Sequence, residues 1–320
     1  MGTKRVNILI TGAGGFVGQT LARYLRAALP HARLIGTQQP GHAAPALDGV
    51  QWVYADLRDP DAAQAVLSAA QPSQIYHLAG QAFVPRSFEN PWETLETNIR
   101  AQLNLLTGCI ALGIAPRMVI AGSAEVYGAA NLTPITEDTP LAPSSPYSVS
   151  KVAQDMLGLQ YHLSHGLPIV RARPFNHFGP GQSDLFVAPA FAMQIARIEA
   201  GLQPPILKVG DLSARRDFTD VRDVVRAYHL MMEHGRAGEA YNVASGKART
   251  IQSLLEGLLA HARADISVEV DSARLRPSKI PILEGDYSRL HAATGWQPQI
   301  PFEQTLRDLL EDCRQRVKGV

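Results

Sequence analysis

The sequence predicts a doubly wound parallel α/β sheet joined to a smaller C-terminal α/β domain. Short β-rich runs alternate with helical periods through the first half of the chain, and a glycine-rich turn lies directly between the first run and the first helix. After residue 174 the pattern loosens, with Gly179-Pro180-Gly181 and Pro204-Pro205 breaking up shorter elements. Strands are expected at 6–10, 33–37, 51–54, 74–78, 117–121 and 168–173, and a helix at 19–29. Residues 38–49 carry Pro40, Gly41, Pro45 and Gly49 where a second helix would normally stand, and read as a loop. The expected division is 1–174 for a nucleotide-binding part and 175–320 for a substrate part, with 216–242 returning to the first.

With 46% hydrophobic and 18% charged residues, 320 residues can bury a full core. Thirty basic against 29 acidic residues leave a net charge of +1, which gives no electrostatic reason for a nucleic-acid or membrane partner and favours a small-molecule substrate. Cys109 and Cys313 stand alone, without a disulfide framework or zinc spacing. Lys4 and Arg5 lead straight into a strand rather than into the apolar run of a signal peptide, and no stretch approaches the ~18 apolar residues of a membrane span. A cytoplasmic protein is expected.

The turn after the first strand reads Thr11-Gly12-Ala13-Gly14-Gly15-Phe16-Val17-Gly18. Gly12 permits a tight turn, Gly15 lets the backbone approach a pyrophosphate, and Gly18 lets helix pack on strand; the helix N-terminus then faces the phosphates. Asp56-Leu57, ending the third strand, can accept from an adenine amino group, or can simply cap the turn. Leu78-Ala79-Gly80 offers small residues where a cofactor passes close to backbone, and equally suits a tight turn. The second strand ends at Thr37-Gln38-Gln39, with neither the carboxylate that binds a ribose hydroxyl nor an arginine for a 2′-phosphate. Such an end takes NADH or NADPH, leaning slightly to NADPH because nothing repels the phosphate.

Tyr147 and Lys151, the single Tyr-xxx-Lys pair in the chain, share one face at the start of a helix. A phenol of unperturbed pKa about 10 is a poor acid or base at neutral pH, and an adjacent ammonium favours its ionised form. At the end of the fifth strand Ser123 can hydrogen-bond a reacting oxygen, with Glu125 beside it. His162 and His165 lack an HExxH or cysteine context, so no metal site is expected, and Ser123 lacks a GxSxG elbow.

Together Thr11-Gly-xx-Gly-Phe-Val-Gly18, His77-Leu-Ala-Gly80, Asn98, Ser123-x-Glu-x-Tyr-Gly128 and Tyr147-xxx-Lys151 resemble the extended short-chain dehydrogenases/reductases, over essentially the whole chain. Within that family the segments 89–98, 173–182, 208–212 and 216–223 are most similar to the GDP-6-deoxy-4-keto-mannose reductases, which form GDP-rhamnose. The resemblance implies a Rossmann-like N-terminal domain, a C-terminal domain closing over a nucleotide sugar (a GDP-sugar is favoured), and a homodimer through helices 92–113 and 146–165. It implies an oxidoreductase in which Tyr147 donates a proton, Ser123 and Glu125 meet the substrate, and Asn98 and Pro174 join Gly12, Gly15, Phe16, Val17, Gly18, Gln38, Asp56, Leu57, Leu78, Ala79, Gly80 and Lys151 around the coenzyme. It further places Val84, Asn176 and Val187 near the sugar and Lys208, Arg216 and Arg276 on the nucleotide diphosphate, a role that suits cations. Solvated or salt-bridged surface charge is the lesser alternative for Lys208, and a weaker one for Arg216. The alternatives are a nucleotide-sugar 4,6-dehydratase or 4-epimerase using the same residues, and a catalytically silent dinucleotide sensor.

Overall fold

The computed structural model describes residues 6–130, 132–275 and 280–319. β1 (Asn7–Thr11), α1 (Phe16–Ala28), β2 (Arg33–Gln38), β3 (Val50–Tyr54), α2 (Pro60–Ala70) and β4 (Gln74–His77) follow one another as the sequence predicts, and residues 39–49 form the expected loop. After α3 (Val84–Glu89) the helix expected at 92–113 is broken into α4 (Pro91–Leu95), a π-helical turn Glu96–Arg100, and α5 (Ala101–Ala111). Such a turn re-aims side chains and often marks a functional position. β5 (Arg117–Ala121) is followed by a 3₁₀ turn over Ala124–Tyr127, then α6 (Pro146–His165) and β6 (Ile169–Pro174). The start of α6 is set by Pro146 in its first turn and by a reciprocal hydrogen-bonded cap between Ser145 and Ser148; Gly166, in the left-handed conformation, ends it.

The strands named so far join a parallel sheet whose order is β6-β5-β4-β1-β2-β3. The seventh and edge strand, beside β6, comes from the far part of the chain. The order reverses between β1 and β4, and open α/β sheets bind ligands at the carboxyl ends of such a switch point. The glycine turn, residues 78–80 and Ser123 all leave the sheet at those ends.

Beyond β6 come β7 (Asn176–Phe178), α7 (Val187–Glu199), β8 (Ile206–Val209), β9 (Arg215–Asp220), α8 (Val221–His234) and β10 (Ala240–Val243), the strand that completes the large sheet. β9 lies in a smaller sheet with β7, whereas α8 packs on α1 in the core that covers one face of the large sheet. α2, α5 and the end of α6 cover the other face. α9 (Ile251–Leu259) and α11 (Phe302–Lys318) enclose a second core with α7, in which Phe178, Phe218 and Phe302 meet. Leu290 and Trp296 rejoin the first core, Trp296 Nε1 donating to the carbonyl of Asp223 at 2.9 Å.

Candidate active site

The glycine turn is built as a cradle. Gly12 has φ +68°, and a Cβ there would stand 2.8 Å from the Ala79 nitrogen; at Gly18 it would stand 2.3 Å from the Gly12 carbonyl. Both positions exclude a side chain, which packs the turn against the end of β4 and against the start of α1. Gly15 differs, for its Cβ would meet only the Gly12 oxygen at 3.3 Å and otherwise open space. It is also the N-cap of α1, with no side-chain cap and no acidic residue in the first turn. Uncapped helix N–H groups beside an open glycine face fit a pyrophosphate. Thr11 supports the turn from below: its hydroxyl accepts from the backbone N–H of Leu78 and Ala79 and pairs with His77 Nδ1 at 2.8 Å. Burial, and then the Lys151 charge, push His77 down to about 3, so it stands neutral.

Around this cradle Phe16 stacks parallel to His177, with centroids 6.3 Å apart, while Val17 and Leu78 flank the core. Gln38 lies against Gly14 and gives its amide to the Ala43 carbonyl, so it closes its own loop. Asp56 is clasped by Arg58 through both carboxylate oxygens, and that hydrogen bonding holds its carboxyl below the ordinary range. Leu57 is a core side chain whose carbonyl accepts from Asn104; what remains for a ligand at this strand end is the rim, not the leucine side chain. Asn98 is turned inward. It is fully buried, taking the Gln81 N–H and donating to the Gln81 carbonyl and the Ser150 hydroxyl. It braces the loop after Gly80, where a Cβ would stand 2.8 Å from Asn98 Oδ1 and 3.8 Å from Lys151 Nζ. The π-helical turn that aims Asn98 there carries no sequence signature.

Ser123, Tyr147 and Lys151 meet at the ends of β5 and α6, each less than a tenth exposed. Lys151 Nζ donates to the Ala121 carbonyl at 2.9 Å and sits 5.9 Å from the centre of the Tyr147 ring. The tuning of Tyr147 differs from the expected one: burial pushes its phenol up to about 12, opposed by a hydrogen bond with Ser123 and aided by the Glu125 charge, while Lys151 is not among the causes. The phenol is thus held protonated, as a proton donor. Burial pushes Lys151 down to about 8. Glu125 is raised by burial and eased by Arg216, whose own pKa burial lowers, so β9 brings Arg216 to the Ser123 turn.

Pro174 is buried at the end of β6, and Asn176 is half-buried on β7. Val84 and Val187 open α3 and α7, and the residues before them, Phe83 and Phe186, touch edge to face at 5.8 Å. Lys208 is not drawn in with these groups. Its side chain is exposed on β8, in a separate two-stranded sheet with β12 (Ser267–Val270), which fits the surface reading. Arg276 lies outside the described residues. Among those residues no group of three or more His, Cys, Asp or Glu could hold a metal ion, and no helix is long and apolar enough to cross a membrane.

A family model described as GDP-mannose 4,6 dehydratase matches residues 9–309. The GDP-6-deoxy-D-mannose reductase of Pseudomonas aeruginosa is 41% identical over 313 residues, covering 97% of this chain and 98% of that one. GDP-mannose 4,6 dehydratase 2 of Arabidopsis thaliana is 32% identical over 266 residues, covering 81% and 70%. A solved structure of RMD from Pseudomonas aeruginosa complexed with NADPH superposes with a TM-score of 0.85 at 37% identity, covering 97% of this chain and all of that one. By matched length, by identity and by the extended short-chain dehydrogenase/reductase fold, the chain belongs to the GDP-mannose 4,6 dehydratase family.

Proposed function

We propose that the protein is an NAD(P)H-dependent oxidoreductase that reduces the C4 keto group of a nucleotide-linked 4-keto-6-deoxyhexose, with GDP-4-keto-6-deoxy-D-mannose going to GDP-D-rhamnose. The observation that carries the reading is the meeting of a buried, protonated Tyr147 with Ser123 and Lys151 beside an uncapped glycine turn. The choice of sugar rests on the 41% identical GDP-6-deoxy-D-mannose reductase. Gly12, Gly15 and Gly18 would cradle the dinucleotide, Gln38 and Asp56 would border its adenosine, and Lys151 would hold the nicotinamide ribose. A bound NAD(P)H would supply the hydride. Ser123 fixes the carbonyl oxygen, Tyr147 gives its proton to that oxygen as it becomes an alkoxide, and the hydrogen bond with Ser123, which lowers the Tyr147 pKa, favours the phenolate left behind. Arg216 and Asn176 border the substrate side, and Arg216 is the cation best placed for a diphosphate. The uncharged end of β2 at Gln38 and the NADPH in the related structure both support a lean to NADPH.

Incubation with the product of a GDP-mannose 4,6-dehydratase and NADPH should oxidise the coenzyme and yield a GDP-deoxysugar. The Tyr147→Phe variant should lose at least about a hundredfold in turnover with coenzyme affinity kept, since general acid catalysis typically contributes 10²- to 10⁴-fold. An equal loss of coenzyme binding would contradict the assignment. A 4,6-dehydratase is the second reading, favoured by the description of the family model. We place the protein in the cytoplasm as a homodimer, with residues 1–174 and the returning segment as coenzyme domain and the remainder as substrate domain.

A further inference from the structure

The Ser123 turn and the Tyr147 helix are separate elements, yet their hydroxyls must share one substrate oxygen. Beneath both runs a buried cation that shares its carboxylate partner with Arg171, whose Nη1 donates to Asp155 Oδ2 at 2.6 Å. Arg173, on β6 and 4% exposed, donates from Nη2 and Nε to the two carboxylate oxygens of Asp155 at 2.9 and 3.1 Å. Asp155 lies on α6, one turn beyond Lys151 and two beyond Tyr147. The remaining nitrogen, Nη1, donates to the Tyr127 hydroxyl at 2.9 Å and to the Glu137 carbonyl at 3.1 Å. Tyr127 ends the 3₁₀ turn that Ser123 caps, is fully buried, and donates in turn to Asn242 Oδ1 at 2.8 Å on β10. A Cβ on Gly122, the residue before Ser123, would lie 3.9 Å from the Arg173 Cγ, so the arginine stem runs directly under the turn.

A buried ion pair adds little net stability, because desolvation offsets the attraction, and an apolar pair of similar volume often does as well. The turn above it packs in an apolar cluster with Ala124, Val126, Phe175 and Ala244, which does not itself call for a guanidinium. Its fixed fork of donors does what packing cannot, holding two elements at one spacing and one angle. We propose that Arg173, acting through Tyr127 and Asp155, is a positioning residue that sets the separation of Ser123 from Tyr147 and so the rate of proton donation to the substrate oxygen.

The inference rests on the ketoreductase reading, and the turnover of the unaltered enzyme with a 4-keto-6-deoxy sugar nucleotide and NADPH tests that reading separately. With turnover in hand, Arg173→Met, Tyr127→Phe and the double variant are compared by kcat per NADPH-binding site, the sites being counted by coenzyme fluorescence titration. Misplacement by ~1 Å can cost about a hundredfold, so Arg173→Met should lose roughly 30- to 100-fold in kcat per site, with KM and coenzyme affinity within about threefold. Tyr127→Phe, which removes one oxygen and leaves the ring, should fall in the same direction by a smaller factor. The double variant should be no slower than Arg173→Met, since both act through one hydrogen bond. A purely structural role would reduce the number of sites and leave kcat per site unchanged, and that result overturns the proposal; so do multiplicative losses in the double variant. Should Arg173→Met fail to fold, Tyr127→Phe decides alone, because full kcat per site without that hydroxyl would show that the link sets nothing.

Discussion

Lys151 donates from Nζ to the carbonyl of Ala121 at 2.9 Å, which ties α6 to the last residue of β5 and keeps a cation buried beneath the substrate end of the sheet. Burial pushes that ammonium down to about 8, below the ~10.4 of an unfolded lysine. Between these values the unfolded chain binds the extra proton, so stability rises with pH over that window; below about 8 the cost of burying the charge is felt in full. We expect the stability of the protein relative to Lys151→Met, measured by denaturant unfolding, to improve from about pH 7.5 to about pH 10. A pH-independent difference would mean that the lysine titrates normally. The same substitution should weaken both coenzyme binding and turnover, because one ammonium serves both.

The glycines of the first turn yield separable outcomes. Gly18→Ala forces a Cβ to within 2.3 Å of the Gly12 carbonyl, so backbone must shift and the fold should be destabilised. Gly15→Ala meets only one atom, at 3.3 Å, and should fold with nearly full stability while losing coenzyme affinity. Gly41, at φ +86° with open space around it, serves as control: alanine there should cost about 1–2 kcal/mol of backbone strain and leave coenzyme binding intact. Thermal melts paired with coenzyme titration check all three. If Gly15→Ala bound coenzyme normally, the cradle would not be where the pyrophosphate lies.

The legible parts of this site were those written in consecutive residues. The glycine spacing, the Tyr147-xxx-Lys151 pair and Ser123 at a strand end each state their own geometry, and the strand-helix alternation places them at one edge of a parallel sheet. Arg58 on Asp56 lay two residues away in plain view, yet only the loop shape decides whether the carboxylate turns to it or outward. Asn98 owes its inward aim to a π-helical turn, which depends on packing rather than on local propensity. Arg173, Asp155 and Tyr127 come from three elements spread over residues 127–173, so nothing in the chain order announces that they bond. For Arg216 the sequence left open surface charge or phosphate ligand, and the fold brings it near enough for its charge to lower the Glu125 pKa.

The apolar residues along α4 and α5 are divided between core and surface. Leu106 is core, packed with α2, while Leu95, Ile99 and Leu103 are half-buried and Ile110 is 40% exposed. A second exposed row lies on α6: Val149, Met156 and Leu163, seven residues apart, with Leu163 at 73%. Trp92, on α4, is 71% exposed. We expect these rows to meet in a two-fold homodimer, because a symmetric interface needs a self-complementary apolar surface. Sedimentation should give a dimer at micromolar concentration, and Met156→Glu with Leu163→Glu should give a folded monomer. A monomeric unaltered protein would end the proposal.

Reduction and dehydration make different demands on this chain. Removing water from a hexose needs an acid for the leaving C6 hydroxyl and a base for the C5 proton, besides the groups that move hydride and proton at C4. The Ser123 turn offers Ala124 and Glu125. Ala124 is 1% exposed in the apolar cluster under the turn and carries no proton to give. Glu125 is the single carboxyl on the turn, and burial favours its neutral form while Arg216 opposes this. A lone carboxyl does not decide by itself, since the GDP-mannose dehydratases that this sequence resembles also keep a single Glu at this turn; the stronger discriminator is the stretch after β6. Residues 175–182, Phe-Asn-His-Phe-Gly-Pro-Gly-Gln, resemble the reductases and lack the Glu-Ser-Pro-Arg-Arg continuation expected of the related dehydratases. Supplied with GDP-mannose and catalytic NADP, the protein should therefore release water at no more than roughly a hundredth of its rate of ketone reduction, the scale of one missing general acid or base. Mass spectrometry of the nucleotide sugar, following the loss of water, makes the measurement. Water loss as fast as the ketone is reduced would replace the reductase reading with the dehydratase one, and Glu125→Gln would then be the variant to silence it.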